Sequence, residues 1–159
     1  MKLYFALAIG AIFFMDQCTK LLATPYLVYP ESVTIFPFFA LTLLHNTGAA
    51  FSFLADAGGW QQILFLFLAI GVSGYSLWML RDPKLSKLMQ SGYLLLIPGA
   101  LGNAFDRMAF GYVVDFIHFH WAGWSFPAFN IADASITLAA GCLIIGCYID
   151  ARHRTKLQS

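Results

Sequence analysis

Four apolar runs constrain this chain more than anything else in it, because each comes close to the roughly 20 residues a helix needs to cross a hydrocarbon core about 30 Å thick. The first is unbroken from Leu3 to Met15 and continues as a helix past Asp16 and Lys20, giving a span over about residues 3–23. The others cover about 63–80, ending at Arg81-Asp82-Pro83, about 88–105, ending at Asp106-Arg107, and about 131–149, ending at Asp150 with Arg152, Arg154 and Lys156 beyond. The chain is 60% hydrophobic and 11% charged, where a soluble domain carries roughly a quarter charged residues. That surplus of apolar side chain exceeds what one small core can bury. The net charge of +1 is spread over scattered or terminal basic residues and predicts no nucleic-acid partner.

A cleaved signal peptide is the competing reading of the first run, since Lys2 precedes it. No small-x-small site follows, and Asp16 and Lys20 stand where cleavage would fall. Cys18 invites a lipoprotein reading, but Asp16 and Gln17 before it are the wrong kind of residue. Cys18, Cys142 and Cys147 all lie in or beside apolar stretches and are expected to be small buried hydrophobes, not a disulfide framework.

Residues 33–54 are also apolar, but Pro37, His45, Asn46, Gly48 and Ser52 interrupt them. Val33-Thr34-Ile35-Phe36 and residues 39–44 are rich in β-branched and aromatic side chains, as strands are. Charge bias separates the alternatives. With four spans, Lys2, the Arg81-Lys84-Lys87 loop and the basic tail share one side, and the 24–60 and 106–130 connections share the other. A fifth span would split the basic loop from the basic tail. The expectation is one integral membrane domain, 1–159, with four spans and both termini cytoplasmic. Trp60, Trp78, Trp121 and Trp124 near span ends suit an aromatic belt, and Gly99, Ala100 and Gly102 would let helices approach closely.

Charges at membrane depth cost about 2.5 kcal/mol or more on insertion scales, so those present mark function or pairing. Asp16 and Lys20, four apart on one helical face, read either as a local ion pair that lets the helix insert or as support for a site. Asn130 and Asp133 open the last helix and read as its N-cap and a dipole-favoured acid. Asp115 changes the weight. It lies in the apolar run Val113-Val114-Asp115-Phe116-Ile117 with no basic neighbour, whereas Asp106 has adjacent Arg107 as its expected partner. Two carboxyls at the outer bundle end, Asp115 and Asp133, would share a proton, one acting as general base on water and the other as general acid. His118 and His120 lie on one side of a strand, but without HExxH they are expected to have a surface or interfacial role, not to form a metal pair. No Gly-x-Ser-x-Gly elbow and no Gly-x-Gly-Asp motif occur.

Five blocks then resemble the bacterial type II signal peptidases: Asp16-Gln17-Cys18-Thr19-Lys20, Asn46-Thr47-Gly48-Ala49-Ala50-Phe51, Gly99-Ala100-Leu101-Gly102-Asn103-Ala104-Phe105-Asp106-Arg107, Val113-Val114-Asp115-Phe116 and Phe129-Asn130-Ile131-Ala132-Asp133. They follow the family's order and spacing over nearly the whole chain. Pro98 departs from the glycine usual before Gly99 and is expected to kink the third helix. The resemblance implies an all-α membrane fold with a small extracytoplasmic β-sheet resting on the membrane. It implies a catalytic pair Asp115 and Asp133, with Asn103, Arg107 and Asn130 orienting the acids and the peptide. Asn46 on the outer loop, Gly99, Asp16 and Lys20 would support them. It further implies a monomer of the bacterial inner membrane, in contact with membrane lipids and needing no cofactor or metal. Its substrates would be diacylglyceryl-modified prolipoproteins, cut just before the lipidated cysteine at the outer face. A small transporter with Asp115, Asp133 and Arg107 lining a polar path is the alternative, against which stand the clustering of the acids at one end and the lack of an inverted repeat. A non-catalytic lipid-binding or assembly protein is the other.

Overall fold

A computed structural model describes residues 2–29, 31–48 and 58–158, the helical backbone alone for 153–158. Ala49, Ala50, Phe51 and Ser52 of the outer loop, and the Arg154 and Lys156 side chains of the tail, lie outside the described residues. Four helices are present: α1 (Leu3–Tyr26), α2 (Trp60–Met79), α3 (Lys87–Phe110) and α4 (Ile131–Gln158). Strands β1 (Ser32–Phe36), β2 (Phe39–Asn46), β3 (Val113–Trp121) and β4 (Trp124–Ser125) form an antiparallel sheet in the order β1-β2-β3-β4. Residues 33–46, ambiguous in sequence, are therefore a hairpin.

Three helices, α1, α2 and the first 22 residues of α4, are long and apolar enough to cross a membrane. They leave large apolar side chains such as Leu7, Phe14, Phe67 and Ile144 on the outside, as a lipid-facing surface would. The cysteines follow the same logic. Contrary to the expectation of burial, Cys147 is exposed and Cys18 and Cys142 are half-buried, all free thiols. In an apolar surrounding, a thiol has no need of the interior.

Helix α3 is different. It is the central helix, packed against α1, α2 and α4, and it runs through Asp106 and Arg107, where charge alone suggested it would stop. It ends at Gly111, whose φ of +81° provides the left-handed turn that lets its N–H close on the Arg107 carbonyl. Pro98 sits within it, fully buried. Close packing follows from missing side chains. A Cβ on Gly99 would stand 2.7 Å from the Ala132 carbonyl of α4, and one on Gly102 would stand 2.6 Å from Asp16 Oδ2 of α1.

The sheet caps one end of this bundle. Its inner face packs Leu43, Val114 and Phe116 against Leu27 just past α1, with Ala23 and Ile131 beside them. The β2–β3 ladder carries a bulge: Leu41 faces Ile117, yet Leu44 faces Asp115, so β2 holds one residue more than β3 over the same stretch. A one-residue slip exchanges the faces of a strand. It puts Asn46 opposite Val113, and so on the same face as Asp115.

Gly102→Ala should lower the thermal unfolding temperature measurably, since overpacking of this kind costs about 1–3 kcal/mol. Gly74→Ala in α2, where a Cβ meets nothing within 4 Å, should be neutral or mildly stabilising. Thermal unfolding of both variants in detergent checks the pair, and equal behaviour would contradict the close α1–α3 approach.

Candidate active site

Helix α4 begins inside the molecule, so its first N–H groups need partners that water cannot supply. Asn130 and Asp133 form a reciprocal cap. The Asp133 N–H donates to Asn130 Oδ1 at 2.9 Å, and the Asn130 N–H donates to Asp133 Oδ2 at 3.2 Å. The Ala132 N–H between them donates to Asp16 Oδ1 at 2.8 Å, reaching across from α1. Asp16 thus does more than pair locally: it closes the start of α4.

The capping contact fixes the Asn130 amide. With its oxygen taken by a backbone donor, its Nδ2 points the other way, to Asp115 Oδ1 at 2.7 Å and to Asn103 Oδ1 and the Val114 carbonyl, each at 3.2 Å. Asn103 is oriented in the same manner. Lys20 Nζ and Asn130 Nδ2 both donate to its oxygen at 3.2 Å, so its Nδ2 faces Asp133 Oδ1 at 2.7 Å. Asn46 is the third case. Its oxygen accepts the Gly48 N–H at 2.9 Å, and its Nδ2 donates to Asp115 Oδ2 at 3.0 Å. Three amides, each with its oxygen held by donors, therefore aim their NH₂ groups at two carboxylates. Asp115, from β3, and Asp133, from α4, are brought together in one hydrogen-bonded frame, and Asn130 bonds to both.

The electrostatics match this geometry. Asp115 is 3% exposed. Burial pushes its carboxyl up to about 7, and the charge of Asp133 pushes the same way; the Asn46 and Asn130 hydrogen bonds and the more distant Lys20 oppose.

Beneath the pair lies a buried ion cluster. Lys20 Nζ sits 2.8 Å from Asp16 Oδ2 and 2.9 Å from Asp106 Oδ2, and Gln17 Nε2 bridges the two acids at 3.1 and 3.0 Å. This corrects the expected Asp106–Arg107 pair. Among the described residues Arg107 makes no ion pair with Asp106. Its guanidinium donates to the carbonyls of Gly48 at 2.6 Å and Asn103 at 3.3 Å and lies 4.6 Å from the Phe65 ring centroid. Neighbouring residues on a helix point in different directions. Gly99 does not touch the acids; it lets the start of α4 approach α3.

Two residues were given no site role from the sequence. Gln17 stood in the Asp16–Lys20 block without one, and Gln62 was not singled out: its Nε2 donates to the Thr47 carbonyl at 2.9 Å, holding the segment that carries Asn46. The partners Asp106 and Thr47 lie on distant elements, which a local pattern does not reveal. His118 has both ring nitrogens occupied, Nδ1 by Thr42 at 3.3 Å and Nε2 by Ser125 at 2.6 Å. Burial and the neighbouring His120 lower its pKa. No cluster of three or more His, Cys, Asp or Glu suited to a metal occurs among the described residues.

Comparison with known proteins places this arrangement. A family profile described as signal peptidase (SPase) II matches residues 8–149. A lipoprotein signal peptidase of Acinetobacter baylyi is 47% identical over 97% of this chain and 86% of its own length. One of Shewanella woodyi is 47% identical over 84% of this chain and 77% of its own. A solved structure described as a bacterial membrane enzyme superposes with a TM-score of 0.83 at 31% identity, covering 93% of this chain and 89% of that one. A second, described in the same terms, gives 0.77 at 32% identity over 91% and 92%. With both sequence and fold matched over nearly its whole length, the chain belongs to the signal peptidase II family.

Proposed function

We propose that this chain is an aspartic endopeptidase that removes the signal peptide from diacylglyceryl-modified prolipoproteins, cutting before the lipidated cysteine, with Asp115 and Asp133 as its catalytic pair. The observation that carries the reading is the frame of three oriented asparagine amides around the buried Asp115 and half-buried Asp133 carboxyls. Among the described residues one amide or backbone donor reaches each carboxyl oxygen, which has room for a second. That leaves the pair able to hold a single proton between them and to grip a water.

Hydrolysis then runs as follows. The ionised member takes a proton from the water, whose oxygen adds to the scissile carbonyl. The protonated member donates to the carbonyl oxygen. When the tetrahedral intermediate collapses, the C–N bond breaks and the leaving amine of the lipidated cysteine takes up a proton from the pair. Arg107 lies beside this centre with its Nε unpartnered among the described residues, and it is suited to hold a substrate carbonyl. Raising the pH through about 7 removes the shared proton and leaves no acid, so turnover should fall above neutrality. No step calls on a metal or cofactor.

The setting belongs to the same reading. Helix α3, 24 residues long, crosses as a fourth span, screened from lipid by the other three. The whole of 1–159 is one monomeric domain of the bacterial inner membrane, with both termini cytoplasmic and the sheet resting on the outer face. A lipid-anchored substrate is confined to the same surface and reaches the site by lateral diffusion. Reporters fused at Ser159 and near Gly58 should lie on opposite sides of the membrane; a shared side would sink the four-span arrangement.

Asp115→Asn and Asp133→Asn each keep the shape but cannot exchange the proton. Each should reduce cleavage of a diacylglyceryl-modified precursor peptide to near background, a loss of at least the 10² to 10⁴ expected of general acid–base assistance. The double variant should be scarcely worse, as for groups acting as a unit. Both singles should purify folded, because an amide keeps the shape of the carboxyl it replaces. Substantial turnover by either single would overturn the aspartic mechanism and favour a binding or assembly role.

A further inference from the structure

We propose that Gln62 of α2 is a positioning residue for the acid pair: it holds the peptide unit between Thr47 and Gly48 and so fixes which end of the Asn46 amide meets Asp115. The role rests on the aspartic reading above. Three hydrogen bonds run in series from α2 to β3. Gln62 Nε2 donates to the Thr47 carbonyl at 2.9 Å, the Gly48 N–H donates to Asn46 Oδ1 at 2.9 Å, and Asn46 Nδ2 donates to Asp115 Oδ2 at 3.0 Å. The Thr47 carbonyl and the Gly48 N–H belong to one planar peptide unit and point opposite ways. Turning the carbonyl to α2 therefore turns the N–H to Asn46. A half-turn of that unit would face the carbonyl toward Asn46, whose amide would then reverse and present its oxygen to Asp115. The contacts on either side act on other units. His45, upstream, is stacked between Tyr29 and Tyr112 at centroid distances of 4.8 and 4.0 Å, and Arg107 holds the next carbonyl, that of Gly48, at 2.6 Å.

The plainer explanation is that Gln62 merely satisfies the start of α2. Gln61 already serves that start, its Oε1 accepting the Gly59 N–H at 2.7 Å. Nor is Gln62 itself satisfied: its Oε1 is shut from solvent and has no partner among the described residues. An unpaired buried acceptor is costly, which leaves the donor contact to Thr47 as the reason for its inward position. The reverse amide orientation is worse, since it would set two oxygens against each other at the Thr47 carbonyl. The charged groups around Asp115 are Asp133 from α4, Lys20 from α1 and Arg107 from α3, and Gln62→Leu alters none of them. The Asn46 hydrogen bond lowers the proton affinity of Asp115. Losing or reversing it raises that affinity, so the pair keeps its shared proton to a higher pH.

The test uses the full chain in detergent with a diacylglyceryl-modified precursor peptide, comparing Gln62→Leu, Gln62→Glu and Gln62→Lys with the parent and with Asp115→Asn. Gln62→Leu removes the donor, Gln62→Glu keeps the shape but offers the Thr47 carbonyl only oxygen, and Gln62→Lys keeps a donor of similar reach. In Gln62→Leu and Gln62→Glu kcat should drop by about 10- to 100-fold, the scale of a misplacement of about 1 Å at a reacting centre, with KM within about threefold. Gln62→Lys should stay within about threefold of the parental kcat, because an ammonium also donates to a carbonyl. In Gln62→Leu the fall in activity with rising pH should move to higher pH. Parental kcat in Gln62→Leu overturns the proposal. So does a slower Gln62→Leu with the parental pH dependence, which marks a merely structural residue, and so does a Gln62→Lys as slow as Gln62→Leu. If Gln62→Leu does not fold, the other two decide: Gln62→Lys near the parent with a slow Gln62→Glu supports the proposal, and equal rates overturn it. Turnover by Asp115→Asn would instead remove the aspartic reading itself.

Discussion

The first turn of α4 governs the structure around it. A helix that starts in a protein interior presents N–H groups that must find partners or cost about 1–3 kcal/mol each. Here the partners are Asp16 from α1, the Asn130 amide and Asp133 itself. The first demands that α1 lie close to α4, which Gly102 of α3 permits by having no side chain in the way. The second turns the Asn130 amide so that its donors face β3, and there they meet Asp115. Capping a helix and orienting a carboxylate are one arrangement. The capping and catalytic readings of Asn130 and Asp133 therefore do not compete.

The site joins elements far apart in sequence through side chains whose orientation is not free. An asparagine amide in isolation can turn either end toward a neighbour. In each of Asn46, Asn103 and Asn130, a backbone N–H or the Lys20 ammonium decides which end. The cost is a concentration of polar groups in an apolar setting, tolerable only because the network is closely satisfied. The cluster of Asp16, Lys20 and Asp106 under the pair is part of that satisfaction.

Much of this was legible in the sequence. Run length and charge placement located the helices, and β-branched and aromatic content identified the hairpin of β1 and β2. The i,i+4 spacing of Asp16 and Lys20 anticipated their ion pair. The lone acid in Val113-Val114-Asp115-Phe116 stood out because nothing near it in sequence could neutralise it. What failed was inference by adjacency. Asp106 and Arg107 are neighbours in the chain but point about 100° apart on a helix of 3.6 residues per turn, so one turns to Lys20 and the other to Gly48. The β2 bulge that brings Asn46 onto the Asp115 face left no trace that periodicity could detect. The exposed Cys147 was misjudged because rules of burial learned from water invert at a lipid-facing surface.

The central claim is that the acid pair activates water and does not itself attack the peptide. A single turnover with enzyme in excess over a diacylglyceryl-modified precursor, run in ¹⁸O-enriched water and read by mass spectrometry, tests it directly. Activation of water predicts the heavy oxygen in the new C-terminal carboxylate of the released signal peptide, with Asp115 and Asp133 unlabelled. Heavy oxygen in either aspartate, with an unlabelled signal-peptide carboxylate from that first turnover, would mean a covalent acyl intermediate and contradict it.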